Sequence, residues 1–188
     1  ISGESTFVPR LNSDGMQGSR YWYSRTNPFY PEYGLPNCTC YAWGRFWEIG
    51  DPTNEGLNVP HLPTGNGGEW WTQVSGYDVG QEPALGAVLC FAASGPNSNG
   101  HVAIVEEIRQ NGVIVTSNSA WGGSYFYTQV LTPMADGRYR SNQDGTGYYS
   151  QGFIYNPYAS PFEPVIIGKK RKFKFVLLQG RRRREAYG

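Results

Sequence analysis

No apolar run reaches the roughly 18 residues that a membrane-spanning helix requires, so the chain has no candidate span. It holds three cysteines as Cys-x-Cys plus one, an odd set that excludes a paired disulfide framework and leaves thiol chemistry or burial. Internal repeats and low-complexity runs are absent, which argues against solenoid or fibrous architectures. No secretory signal opens the sequence, and a start on Ile1 instead of Met reads as a processed or excised piece. With 25 glycines and 13 prolines among 188 residues, long helices are not expected.

What the chain does have is aromatic side chains, 15% of its residues, in a length that fits one globular unit with appendages. The net charge of +1 hides a division. Nine of the sixteen basic residues lie between Lys169 and Arg184, whereas residues 1–168 carry seven basic and fourteen acidic residues, a net of −7. An acidic body argues against nucleic acid as partner of the main domain. The expected organisation is an extended, turn-rich lead-in over residues 1–20, a body over 21–157, and a linker with a basic tail over 158–188.

Within the body, Asn37 follows Pro36 and offers a capping side chain, and Tyr41, Ala42, Arg45 and Phe46 recur at helical spacing, predicting a helix over 37–48. Cys38 then stands at the positive end of the helix, where free amides and the macrodipole favour a thiolate. Glu69-Trp70-Trp71 reads as a second short helix, and Leu85 to Phe91 as a buried strand that holds Cys90 in the core. The clearest local signal is a hairpin: His101 to Ile108, a turn at Asn111-Gly112, and Val113 to Asn118. A two-residue loop pairs Val105 with Asn118 and puts His101 on the same face as Asn118, four residues away along the ladder, or roughly 13 Å. Joining them requires a bulge or another loop length. Tyr125 to Tyr127 and Gly152 to Tyr155 read as final strands.

A cysteine at a helix start, followed 63 positions later by a histidine at a strand start, is what a thiol hydrolase needs. The imidazole takes the thiol proton and later returns one to the leaving amine, and a third polar group holds the ring in the useful tautomer. Asn118 can do this by accepting from the imidazole N–H, with Ser117 and Ser119 adjacent. His61 competes as base but sits in a Pro-flanked loop without strand context, as a surface or structural residue. The same residue types allow another assignment, a Cys₃His zinc site from Cys38, Cys40, Cys90 and His101, although only one tight Cys-x-Cys pair is present.

The words Asn37-Cys38-Thr39-Cys40-Tyr41-Ala42, Gly86-Ala87-Val88, Gly100-His101-Val102-Ala103-Ile104-Val105-Glu106 and Ser117-Asn118-Ser119-Ala120-Trp121-Gly122 resemble, in order and spacing, the motifs of the CHAP family. These are cysteine, histidine-dependent amidohydrolases/peptidases of the NlpC/P60-like, papain-like superfamily, and the resemblance covers about residues 21–157. It implies an α+β papain-like fold in which the helix carrying the nucleophile packs on an antiparallel sheet. The implied activity is hydrolysis of an amide bond in bacterial peptidoglycan, as N-acetylmuramoyl-L-alanine amidase or endopeptidase, in a phage virion-associated or endolysin-type lysin or an autolysin. Carried over by position, Cys38 is the nucleophile, His101 the base and Asn118 the orienting residue. Asn37 with the Cys38 amide forms the oxyanion donor set, and Trp121, Tyr41 and Trp70 are expected to meet substrate.

No cofactor is implied. The segment from Asn27 to Asn37 offers only Glu32, too few hard oxygen ligands for the calcium that some members bind. Cys40 departs from the family's usual tryptophan. The expected location is the cell wall or a phage tail, with residues 158–188 as a contact to other virion subunits. A wall-binding module without catalysis is the remaining alternative, with Trp70, Trp71, Trp121 and the tyrosines as a glycan platform.

Overall fold

The structure, a computed structural model, describes residues 7–96, 98–141 and 147–159. Helix α1, Cys38–Gly50, starts where Asn37 caps it: the Asn37 side-chain oxygen accepts from the amides of Thr39 (2.9 Å) and Cys40 (3.0 Å). Its first turn holds no acidic residue, so no carboxylate of its own masks the positive end. From Thr39 to Trp47 every residue is buried, because α1 lies between the sheet on one side and an aromatic layer from residues 21–29 on the other. Tyr23 stacks on Tyr41 with centroids 5.9 Å apart. Gly44 allows this approach, since a Cβ there would lie 2.3 Å from the Tyr23 ring.

The sheet contains strands β1 (Val79–Gly80), β2 (Val88–Phe91), β3 (His101–Ile108), β4 (Ile114–Asn118), β5 (Tyr127–Leu131), β6 (Arg140–Ser141) and β7 (Tyr148–Ile154), after a short helix α2 at Trp70–Gln73. Strand order is β1-β7-β2-β3-β4-β5, with β6 against β7, and every pairing is antiparallel. This is the mixed α+β, papain-like arrangement that the resemblance implies, with the cysteine-bearing helix on an antiparallel sheet. Both faces of the central strands are covered: Val88, Cys90, Val102 and Ile104 pack toward α1, while Leu89, Phe91, Ala103 and Val105 pack with Ile114, Tyr139 and Phe153. β2 therefore reads as an unbroken apolar run, buried at all four positions. Among the described residues, no helix is long and apolar enough to cross a membrane.

The hairpin differs from its sequence reading in register. The loop is Gln110–Gly112, closed by a 2.7 Å bond from the Arg109 amide to the Val113 carbonyl, with Asn111 (φ 61°) and Gly112 (φ 74°) both left-handed. Three loop residues instead of two set Ile108 opposite Ile114, and a bulge at Glu106 then shifts the pairing so that Ile104 faces Ser117. Continued by one residue, this register brings Asn118 opposite Ala103, two residues from His101 instead of four, on the same face.

Residues 7–20 are held by side chains, not strand pairing. Met16 is buried, and Arg10 forms an ion pair with Glu48, which also receives Arg45 at 3.3 Å and the Tyr23 hydroxyl at 2.7 Å. The basic clusters Lys169 to Lys172 and Arg181 to Arg184 lie outside the described residues.

Burial alone would raise the Glu48 carboxyl, but the Arg10 hydrogen bond, the charges of Arg45 and Arg10, and the Tyr23 hydroxyl outweigh it and hold the group below the usual carboxylate range. The folded state thus binds this proton less tightly than the unfolded chain. Its contribution to stability is complete above the ordinary glutamate value of about 4.3 and is lost as pH falls through the lower folded value. The gap in denaturation midpoint between the parent and Glu48→Gln is expected to close as the buffer is taken below about pH 4.3. A gap that stays constant through that acid range would contradict the assignment.

Candidate active site

A cleft of about 690 Å³ opens where the start of α1 meets the start of β3 and the end of β4, and Cys38, His101, Asn37 and Trp121 all line it. The approach of these elements depends on missing side chains. A Cβ on Gly67 would lie 3.1 Å from the His101 backbone, and one on Gly100 (φ 70°) would lie 2.4 Å from the Gly68 Cα. The loop at 64–69 can therefore lie directly against the strand that carries the histidine.

His101 Nε2 and Asn118 Oδ1 are 2.9 Å apart, in a buried contact. The Asn118 amide nitrogen donates to Thr116 Oγ1 at 3.0 Å, which turns its oxygen toward the ring. That oxygen can only accept, so Nε2 carries the hydrogen and Nδ1 is the acceptor in the neutral imidazole. Tyr148 stacks on the ring at 6.1 Å, and the Tyr127 hydroxyl lies 3.5 Å from Nε2. Neither tyrosine was singled out from sequence, because β5 and β7 approach His101 only through the fold.

On the other wall, the backbone amides of Val102, Thr39 and Cys38 itself point at the Cys38 sulfur, which places the sulfur beside the residue that follows His101. The sequence expectation of a lowered thiol pKa is corrected here. Burial pushes the Cys38 thiol up, and the three amide donors only oppose this in part. A helix start supplies donors, but it does not offset desolvation by the surrounding elements. Ionisation of this thiol therefore calls for a proton acceptor beside it.

The other sequence assignments separate clearly. Trp121 is 67% exposed at the cleft mouth and meets Tyr33 edge-on at 5.6 Å. Tyr41 and Trp70 are fully buried, which corrects their assignment as substrate contacts: Tyr41 donates to Ser117 Oγ at 2.7 Å and Trp70 Nε1 to the Gly65 carbonyl at 3.1 Å. The Asn37 side-chain oxygen is used in capping, and its backbone amide donates to Ser119 Oγ at 3.0 Å. His61 lies outside the cleft, stacked on Tyr77 at 4.1 Å. The Cys₃His zinc alternative is overturned: among the described residues, no group of three or more His, Cys, Asp or Glu is placed to hold a metal ion.

All three thiols are free. Burial pushes Cys40 up to about 12 and Cys90 higher still. The native protein is expected to take up iodoacetamide at one thiol, Cys38, and the denatured chain at all three. Peptide mapping by mass spectrometry checks this, and native labelling of Cys40 as fast as of Cys38 would contradict it.

The family model described as CHAP domain matches residues 26–120, half of the chain, and so spans α1, β2, β3 and β4 with Cys38, His101 and Asn118. The chain belongs to the CHAP domain family. A relative of this CHAP chain, the probable autolysin LDP of Staphylococcus aureus (strain NCTC 8325 / PS 47), is 34% identical over 93 residues, 48% of this chain and 30% of its own length. A Streptococcus mutans serotype c relative is 40% identical over 52 residues, 27% of this chain and 23% of its own length. This CHAP chain thus spans less than a third of the length of the curated relatives it matches. A crystal structure of N-acetylmuramoyl-L-alanine amidase from Staphylococcus aureus overlays 75% of this chain and 37% of its own, at 22% identity and a TM-score of 0.44.

Proposed function

We propose that the chain hydrolyses an amide bond of bacterial peptidoglycan, with Cys38 as nucleophile, His101 as base and Asn118 as orienting residue. The observation that carries this reading is the 2.9 Å His101–Asn118 hydrogen bond beside the cysteine-bearing helix start of a CHAP domain.

His101 Nδ1 accepts the Cys38 proton, and the resulting imidazolium stabilises a thiolate that burial alone disfavours. The thiolate attacks the amide carbon. Charge developing on the carbonyl oxygen is met by the Cys38 amide together with the side-chain NH2 of Asn37, whose backbone amide serves Ser119 and whose side-chain oxygen caps the helix. Collapse passes the Nδ1 proton to the leaving amine and leaves a thioester on Cys38. Water, deprotonated by His101, then attacks that thioester and releases the acid and the free thiol. Asn118 keeps the ring in the required tautomer throughout. Trp121 offers an exposed aromatic face to a saccharide or stem peptide at the cleft mouth.

N-acetylmuramoyl-L-alanine amidase and endopeptidase action are both covered by this chemistry, since both bonds are amides. The relative named an autolysin favours action at a bacterial wall, and service in a phage tail through residues 158–188 is the second setting. Mass spectrometry of muropeptides released from purified walls tests the reading. New N-termini identify the bond, and no release from several wall types would overturn it.

A further inference from the structure

The bulge in the hairpin is occupied by an acid. Glu106 is the extra residue of β3, unpaired between Val105↔Thr116 and Glu107↔Val115, and it is completely buried. A desolvated carboxylate requires hydrogen bonds at its lone pairs, of which there are about four. Glu106 receives four. Arg45 donates from Nε to Oε1 and from Nη2 to Oε2, each at 2.9 Å, Ser117 Oγ donates to Oε1 at 2.7 Å, and the Arg10 amide donates to Oε2 at 2.9 Å.

The bulge decides which way Asn118 faces. Near the loop, Ile108 opposes Ile114 and Glu107 opposes Val115. Carried on without an extra residue, that register would set Ile104 opposite Asn118 and turn the Asn118 amide toward α1, away from His101. The extra residue slips the pairing by one, and a slip of one exchanges the faces of every residue beyond it. Ser117 now opposes Ile104, and Asn118 falls on the face of Ala103 and His101. The same slip gives the flanking serines to the helix side. There Ser117 receives the Tyr41 hydroxyl, and Ser119 receives the amide of Asn37, the residue before Cys38.

Resting on the thiol-hydrolase reading above, we infer that Glu106, held by Arg45, is a positioning residue: it locks the bulge that turns Asn118 onto His101 and the flanking serines onto the helix bearing Cys38. An apolar pair of similar volume would fill the same space, and buried ion pairs are often replaceable in this way without loss of stability. Such a pair gives the bulge no polar anchor and gives Ser117 no acceptor.

The test compares Arg45→Met/Glu106→Leu and Glu106→Gln with the parent. Solubilised peptidoglycan supplies kcat and KM, and ¹⁵N-edited spectra of the His101 imidazole report its hydrogen bond. Cooperative unfolding reports the fold, and Arg109→Ala, which removes the exposed pair with Glu107 on the same strand, is the control. Because misplacement by about 1 Å can cost on the order of 100-fold, kcat is expected to fall about 10- to 100-fold in both variants with KM within about twofold. The His101 Nε2–H signal should lose its hydrogen-bonded shift, and Arg109→Ala should match the parent.

A folded double variant with parental kcat and an unchanged imidazole spectrum would overturn the inference. Should the double variant not fold, the Glu106→Gln spectrum decides alone: a parental signal refutes the role. Should the parent release nothing from any wall, the hydrolase reading fails, while the imidazole spectra still decide the positioning role.

Discussion

Replacing Cys38 with alanine is expected to abolish release of wall fragments, a loss of at least about 10^4-fold, while the fold and any affinity for the wall remain. In the proposed mechanism His101 and Asn118 act only through Cys38, and removing the nucleophile of such a coupled set costs about as much as removing the whole set. Cys40 cannot substitute. It lies two residues further along the helix, roughly 200° around the axis, and is fully buried. Serine at position 38 should not rescue activity either, since a hydroxyl is a far weaker acid than a thiol in a site where burial already opposes ionisation. The measurement is muropeptide release from purified walls alongside a wall pull-down. Undiminished lysis by folded Cys38→Ala protein would favour a binding module over an enzyme.

Arg45→Ala is expected to lower stability by about 3–5 kcal/mol, the cost of leaving a buried carboxylate without its partner. For a chain of this size that corresponds to a melting temperature lower by roughly 10 °C. The side chain is almost entirely buried, meets both oxygens of Glu106, reaches Glu48 at 3.3 Å and donates to the Val8 carbonyl at 2.7 Å. Alanine leaves Glu106, completely buried, with only Ser117 and the Arg10 amide as donors and no opposite charge in contact with it. Lysine should recover little, because one ammonium cannot supply a planar fork to Glu106 and also reach Val8. Calorimetry or thermal circular dichroism measures this, and a shift within about 2 °C would contradict the account.

Much of the site was legible because its signals are local. Asn37 announces a cap within three residues of where it acts, and β-branched residues on either side of Asn111-Gly112 announce a hairpin from His101 to Asn118. That Cys38 and His101 line one cleft agrees with the expectation drawn from residue types and order. The register was not legible in this way, because the bulge at Glu106 is stabilised by Arg45, 61 positions earlier, and no local pattern marks a polar residue as the one that will be left unpaired. The burial of Tyr41 and Trp70 was missed for a related reason. Helix α1 is covered all round, so Tyr41, which a half-exposed helix would present to a ligand, is core here, and Trp70 on α2 is covered by Phe29, whose ring lies 6.1 Å away. The direction of the Cys38 shift depends on burial by the rest of the fold, which is not visible from the helix itself.

The hold of residues 7–20 on the body bears on how the protein can be divided. A fragment cut to residues 26–120, the span that matches the family model, would retain Cys38, His101 and Asn118. It would also discard Arg10, which serves Glu48 and Glu106 together, and β7, the strand between β1 and β2. Two interior acids would then share one guanidinium, and β2 would expose an unpaired edge of the kind that seeds aggregation. The smallest piece expected to hold its core together is therefore larger than the smallest piece that can be recognised, and it includes one arginine near the start and one strand near the end.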